Sequence, residues 1–171
     1  MNNSTFVHKY AAPLIDKDDI CVDMTAGNGN DTLFLCKRAK KVYAFDISEE
    51  AIRKTSQRVE DYDNVVLIND SHVNLDKYVK EKIRLFIFNL GYLPKADSYS
   101  VTEAGETLKA FRKAYELLEK DGYIIITFYL GHRGGKDEYY LLKKYFEDNS
   151  IIIQESYVQD KPDSPVTVIL R

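Results

Sequence analysis

The chain has 171 residues, 44% of them hydrophobic and 30% charged, and a formal net charge of −3. That length supports a well-buried core, so one domain over residues 1–171 is expected. The charge balance excludes coating of nucleic acid by bulk electrostatics while leaving local basic patches open, and no apolar run approaches the ~18 residues of a membrane span.

The N-terminus lacks a charged-then-apolar export pattern, which predicts a cytoplasmic protein that does not engage a membrane. Cys21 and Cys36 have no paired spacing, and His8, His72 and His132 are far apart. Neither a disulfide framework nor a metal site is supported.

In chain order, a helix over 4–15 carries Phe6, His8, Tyr10 and Leu14. A strand over Ile20–Met24 runs into a turn containing Gly27 and Gly29, residues that can take backbone angles closed to others. A helix over 31–39 follows, with Asn30 or Asp31 as its cap. The strand Val42–Ile47 places Asp46 where a ribose-binding acid belongs in such a unit. Ser48, Glu49 and Glu50 mark the start of a helix over 48–60.

The strand Val65–Ile68 leads into Asn69, Asp70, Ser71 and His72 and a helix over 72–81. The strand Leu85–Leu90 runs on into Gly91, Tyr92, Leu93 and Pro94. A helix over 102–119 presents Leu108, Phe111, Tyr115 and Leu118 at core-facing spacing and closes at Asp121 and Gly122. The strand Tyr123–Tyr129 precedes the glycine-rich stretch from Gly131 to Lys136, a helix over 135–148, and strands at Ile151–Val158 and Val166–Leu170. Tyr139 and Tyr140 read as helix-packing residues rather than base-stacking ones.

Continuous apolar strands separated by helices predict an α/β fold: a doubly wound, mostly parallel, seven-stranded sheet. The last two strands leave no room for a helix between them and should form a terminal antiparallel hairpin. Basic clusters at 37–41, 77–84, 109–113 and 143–144 read first as solvated helix faces.

A doubly wound sheet binds its ligand at the carboxyl ends of its strands, where the polar residues of this chain collect. The third glycine of the dinucleotide fingerprint is absent, since Thr32 occupies its place. A nicotinamide-dependent oxidoreductase and a non-catalytic nucleotide-binding module stay open as readings. The missing glycine, the Asn89 turn and the terminal hairpin count against the oxidoreductase.

At these residues the chain resembles the class I S-adenosylmethionine-dependent methyltransferases. The segments Asp23–Thr32, Asn89–Pro94 and Gly131–Gly135 are more narrowly similar to a small bacterial family labelled rRNA methylases. Members of that family methylate the aminomethyl group of wobble 5-aminomethyl-2-thiouridine in tRNA. The resemblance implies S-adenosyl-L-methionine as cofactor and the anticodon region of tRNA as partner. An rRNA base or a small-molecule amine remains open as acceptor, and the small size leaves a homodimer sharing the RNA surface open as well.

The resemblance also implies site roles. Gly27 and Gly29 let the main chain approach the methionine part of the cofactor, and Asn28, Asn30 and Asp31 bind its amino and carboxylate ends, with Asp23 and Thr25 in the same loop. Asp46, beside Ile47, accepts the ribose hydroxyls; Asp70, beside Ser71, accepts the adenine amino hydrogens. Asn89 to Pro94 resembles the Asn-Pro-Pro-Tyr turn of amino-group methyltransferases, with Leu90 and Gly91 replacing the prolines. Asn89, bordering cofactor and acceptor alike, and the Leu90 carbonyl accept from the substrate amine, and Tyr92 packs on the base. His8 and His132 are candidates to take a proton or contact RNA, and Arg133 and Lys136 to grip phosphates.

Overall fold

The computed structural model describes residues 3–91, 101–158 and 163–171. Its strands are β1 (Ile20–Asp23), β2 (Lys41–Phe45), β3 (Val65–Ile68), β4 (Ile83–Leu90), β5 (Leu118–Phe128), β6 (Ile153–Val158) and β7 (Val166–Leu170). They form one sheet in the order β3-β2-β1-β4-β5-β7-β6. The pairs among β1 to β5 are parallel, and β7 runs antiparallel to both β5 and β6. The expected hairpin is present, and its second strand inserts between β5 and β6.

The helices are α1 (Asn3–Ala11), α2 (Asn30–Cys36), α3 (Glu49–Arg58), α4 (Leu75–Tyr78), α5 (Val101–Leu117) and α6 (Gly135–Asp148). Strand β4 shows why its apolar run is continuous. Leu85 and Ile87 pack on one face with Val7, Ala11 and Leu35, while Phe86 and Phe88 pack on the other with Leu75, Phe111 and Phe146. A strand covered on both faces has no solvent side on which to alternate.

Several boundaries differ from the sequence reading. The first helix ends at Ala11 and tightens into a 3-10 turn over Ala12–Leu14, because Pro13 cannot donate the next helical hydrogen bond. Gly29, at φ 77°, is the N-cap of α2, so Asn30 and Asp31 lie inside the helix rather than capping it. The expected cap on α3 forms, with Ser48 Oγ accepting from Ala51 N at 3.2 Å. The helix expected over 72–81 is a 3-10 turn at His72–Asn74 followed by the single turn of α4, ended by extended Val79.

The long helix α5 stops at Leu117, and Gly122 lies within β5 instead of closing the helix. A Cβ at Gly122 would lie 3.0 Å from the Ile83 and Arg84 carbonyl oxygens, so only glycine lets the two strands approach there. Tyr115 is exposed, and Ala110, Phe111 and Ala114 carry the buried face of α5.

Candidate active site

Strand order reverses between β1 and β4, which opens a crevice at their carboxyl ends. Met24 N donates to the Ile87 carbonyl at 2.8 Å and Asn89 N donates to Thr25 Oγ1 at 2.8 Å, stitching the two strand ends together.

On the β1 side, Asp23 is fully buried. Its Oδ1 accepts from Thr25 N at 3.0 Å and its Oδ2 from Thr32 Oγ1 at 2.6 Å. The hydroxyl standing where a dinucleotide fold has its third glycine therefore staples α2 to the end of β1. The turn between them closes through Gly29 N to Ala26 O at 2.7 Å and Ala26 N to Phe45 O at 2.8 Å. Gly27 and Gly29 have φ of 53° and 77°, and a Cβ on Gly29 would lie 3.0 Å from the Thr55 Cα. The cradle is built for a backbone with no side chain at that point.

Burial, the Asp31 charge nearby and, more weakly, the Asp46 charge push the Asp23 carboxyl up to about 7, against the lowering effect of its Thr32 and Thr25 hydrogen bonds. A carboxyl that holds its proton more tightly when folded lends stability that is complete below its unfolded value and is lost as pH rises toward the folded one. In Asp23→Asn, the amide oxygen can accept from Thr25 N and the amide nitrogen can donate to Thr32 Oγ1. We expect wild-type stability, relative to this variant, to fall by up to roughly 1.4 kcal/mol per pH unit between about pH 4 and 7 and then level off. Thermal melts of both proteins across that range test this; parallel curves would exclude a buried titrating Asp23.

At the end of β2, Asp46 Oδ2 accepts from Gly27 N and Oδ1 from Ser48 N, each at 2.9 Å. The carboxylate is thereby fixed at the mouth of the glycine turn, and neighbouring Ile47 exposes 58% of its surface. Asp70 is held by Ser71 N at 2.7 Å, Asn74 Nδ2 at 2.9 Å and Tyr78 Oη at 2.9 Å. These bonds, Asn74's first, hold its carboxyl below the usual range. Three donors leave room for about one more on a carboxylate. Ser71 Oγ accepts from Val73 N and caps the 3-10 turn. His72 Nδ1 meets the Met24 carbonyl at 3.0 Å, and burial lowers the imidazole's pKa.

On the β4 side, Asp31 Oδ1 lies 2.7 Å from His8 Nε2, and its Oδ2 accepts from Asn89 Nδ2 at 3.1 Å. His8 is braced by face-to-face stacking on Phe34, with centroids 4.2 Å apart and planes 4° apart. A carboxylate only accepts, so Asn89 must turn its NH2 toward Asp31. That leaves Asn89 Oδ1 buried with no hydrogen-bond partner among the described residues. A buried orphan acceptor costs about 1–3 kcal/mol, and an N–H brought by a ligand removes that cost.

Leu90 is half-buried, and Gly91 N donates to the Asn89 carbonyl at 2.7 Å in a tight turn. Tyr92 and Pro94 lie outside the described residues. The ring that meets the turn is Tyr129: a Cβ on Gly91 would lie 3.4 Å from Tyr129 Cε2. Tyr129 also stacks on His132, with centroids 5.3 Å apart and planes 9° apart. Burial foremost, and the Asp31 charge, raise the Tyr129 pKa, opposed by a hydrogen bond that, because it lowers the pKa, is donated by the Asn89 amide group and leaves Asn89 Oδ1 unpartnered. The sequence reading missed this residue, although an aromatic one position past β5 was a signal for it.

His132 and Arg133 are exposed on the same loop, while Lys136 pairs with Asp163 at 2.7 Å. Gly135 fixes where that loop turns into α6, since a Cβ there would lie 2.1 Å from the Tyr129 carbonyl oxygen. Gly135→Ala must displace backbone, and we expect it to cost about 2–3 kcal/mol in a urea unfolding experiment. Unchanged stability would show that the Tyr129 loop yields freely.

A carboxylate neutralises one lysine in each of three basic clusters. Lys41 pairs with Glu81, Lys113 with Asp76 and Lys144 with Asp148. Tyr139 packs edge-on against Phe128, while Tyr140 is 62% exposed. Among the described residues no helix is long and apolar enough to cross a membrane.

A doubly wound sheet with β7 reversed between β5 and β6, a glycine cradle after β1 and a carboxylate after β2 is the architecture of a class I S-adenosylmethionine-dependent methyltransferase. The chain belongs to the family described as "Putative rRNA methylase", whose model matches residues 42–170. It is 31% identical over 182 residues to the Arabidopsis thaliana chloroplastic tRNA (mnm(5)s(2)U34)-methyltransferase, covering 95% of this chain and 66% of that protein. The chain thus spans slightly less than two thirds of that relative.

Two solved structures are similar over nearly their full lengths. A Streptococcus mutans protein described as "a putative methyltransferase", in complex with SAH, shares 36% identity at a TM-score of 0.84, covering 99% of this chain and 97% of that one. A Clostridium thermocellum structure described as "putative rRNA-methylase" shares 33% identity at a TM-score of 0.87, covering 100% and 97%.

S-adenosyl-L-methionine is the cofactor, and the residues present fit it. The side-chain-free cradle at Gly29, the anchored Asp46 carboxylate and the exposed Ile47 would offer it a close backbone, a ribose acceptor and an apolar wall.

Proposed function

We propose that this chain is an RNA N-methyltransferase that methylates the aminomethyl group of wobble 5-aminomethyl-2-thiouridine in the anticodon region of tRNA. The observation that carries the reading is the orphaned Asn89 Oδ1, a buried acceptor at the seam of β1 and β4, beside the cofactor cradle. The named activity of the Arabidopsis relative supports the choice of nucleotide.

The cofactor supplies an electrophilic methyl group on a sulfonium. Asp23, Thr25 and the turn from Gly27 to Asp31 form the methionine side of the site; Asp46 and Ile47 take the ribose and the base face, with Asp70 and Ser71 at the adenine edge. Asn89 Oδ1 accepts one amine N–H, which aims the nitrogen lone pair at the methyl carbon, and alignment is the larger part of catalysis in such a transfer. As the nitrogen–carbon bond forms, the carbon–sulfur bond breaks and the amine sheds one proton. His8, paired with Asp31, is the candidate to receive it. Leu90, Gly91, Tyr92 and Pro94 form the acceptor turn, with His132 and Arg133 on the facing rim. The reaction is read as cytoplasmic, carried by one domain over residues 1–171, with a homodimer offering a broader RNA surface.

Mass spectrometry of tRNA nucleosides from cells with and without the gene tests this. Loss of the methylated nucleoside and accumulation of its aminomethyl precursor are the expected result. Unchanged tRNA with an altered rRNA nucleoside would move the activity to ribosomal RNA.

A further inference from the structure

An open groove of about 570 Å³ runs between α1 and α2, and the cations Lys9, Lys37 and Arg38 line it beside Ser4, His8 and Asn30. In a chain of net charge −3, no acidic side chain among the described residues lines this groove. Among the described residues no ion pair engages the three cations, whereas Lys41, Lys113 and Lys144 each have a carboxylate partner. An unneutralised basic groove is what distinguishes a binding surface from a solvated helix face.

The groove is also partly preorganised. The Arg38 guanidinium sits 4.2 Å over the Phe34 ring centroid, and its Nη1 donates to the Phe34 carbonyl at 3.1 Å. The same ring carries His8. Holding a guanidinium by stacking reduces the entropy lost when it meets an anion.

Its position gives it meaning. His8 is bonded to Asp31, and Asp31 to Asn89, so the wall of the groove is two hydrogen bonds from the residue that faces the acceptor. We propose that this groove receives the backbone phosphates of the RNA that flank the nucleotide being methylated. Lys9 and Lys37, both exposed, act as point charges, and Arg38 as the fixed donor. The proposal rests on the RNA-methyltransferase reading. It adds which face of the molecule the strand crosses, namely the α1 and α2 face rather than that of α5 and α6.

The test uses the full chain carrying Lys9→Gln and Lys37→Gln, with tRNA from cells lacking the gene as the probe. Fluorescence anisotropy at several salt concentrations should show Kd for tRNA raised about tenfold near physiological salt, and the log K against log salt slope reduced by about 2. Calorimetry with SAH should show unchanged affinity, which verifies folding. Lys143→Gln with Lys144→Gln, on the opposite helical layer, should leave tRNA binding unchanged. Wild-type affinity and slope in the Lys9 and Lys37 variant, with wild-type protein methylating the same tRNA, would overturn the groove while leaving the enzymatic reading intact. A wild-type protein that binds no tRNA and transfers no methyl group to it would overturn both.

Discussion

Asn89→Ala is expected to lower kcat for methyl transfer by about 10²–10³-fold, the size of effect seen when one preorganised polar contact to a reacting group is removed. Cofactor affinity should change by less than about threefold, because the cradle is anchored by Asp23, Thr32 and Asp46 and none of those bonds passes through the Asn89 side chain. The substitution removes two things at once. Oδ1 no longer accepts from the amine, and Asp31 loses one donor while keeping its 2.7 Å contact with His8. Single-turnover transfer measures the first, and calorimetry with SAH checks the second. Wild-type transfer in this variant would reject Asn89 as the residue that orients the acceptor.

The distinction between local and long-range determinants explains how much of this site was readable in the sequence. Gly27, Gly29 and Asp46 were legible because the constraint on each is local: a turn that needs positive φ, and a carboxylate at the end of the next strand. Ser48 as a cap and the two-sided burial of β4 were legible for the same reason, since neighbouring residues carry the signal. The pairing of Asp31 with His8 and Asn89 spans 23 and 58 residues of sequence. No periodicity encodes it, and at short range Asp31 looked like a helix cap.

Tyr129 is a similar case, because its importance comes from Gly91 and His132, which reach it only once β4 and β5 pair. Nor could the Lys9, Lys37 and Arg38 groove be found from charge runs. Lys9 comes from a different helix, and within runs that looked alike in the sequence the individual cations differ in whether a carboxylate folds back onto them. The insertion of β7 between β5 and β6 likewise depends on a choice of sheet edge that the hairpin itself does not specify.

Asp46→Ala separates the cofactor half of the site from the acceptor half. Its carboxylate joins Gly27 N to Ser48 N, and the remaining lone pairs are the ones that a ribose diol would meet. If Asp46 holds the ribose, this variant loses charge-assisted bonds to two hydroxyls, and the Gly27 turn loses the acceptor that fixes its mouth. We expect the Kd for SAH to rise about 10²-fold, since each ~1.4 kcal/mol of lost binding is tenfold. Asp46→Asn keeps one oxygen acceptor but loses the charge, and should fall between wild type and alanine. At saturating S-adenosylmethionine the kcat of Asp46→Ala should stay within a few-fold of wild type, because Asn89, Asp31 and His8 make their contacts without Asp46. An affinity defect with preserved turnover here, set against a turnover defect with preserved affinity in Asn89→Ala, would assign binding to β2 and alignment to β4. Wild-type SAH affinity in Asp46→Ala would remove the ribose role from β2 and leave its carboxylate a brace for the glycine turn alone.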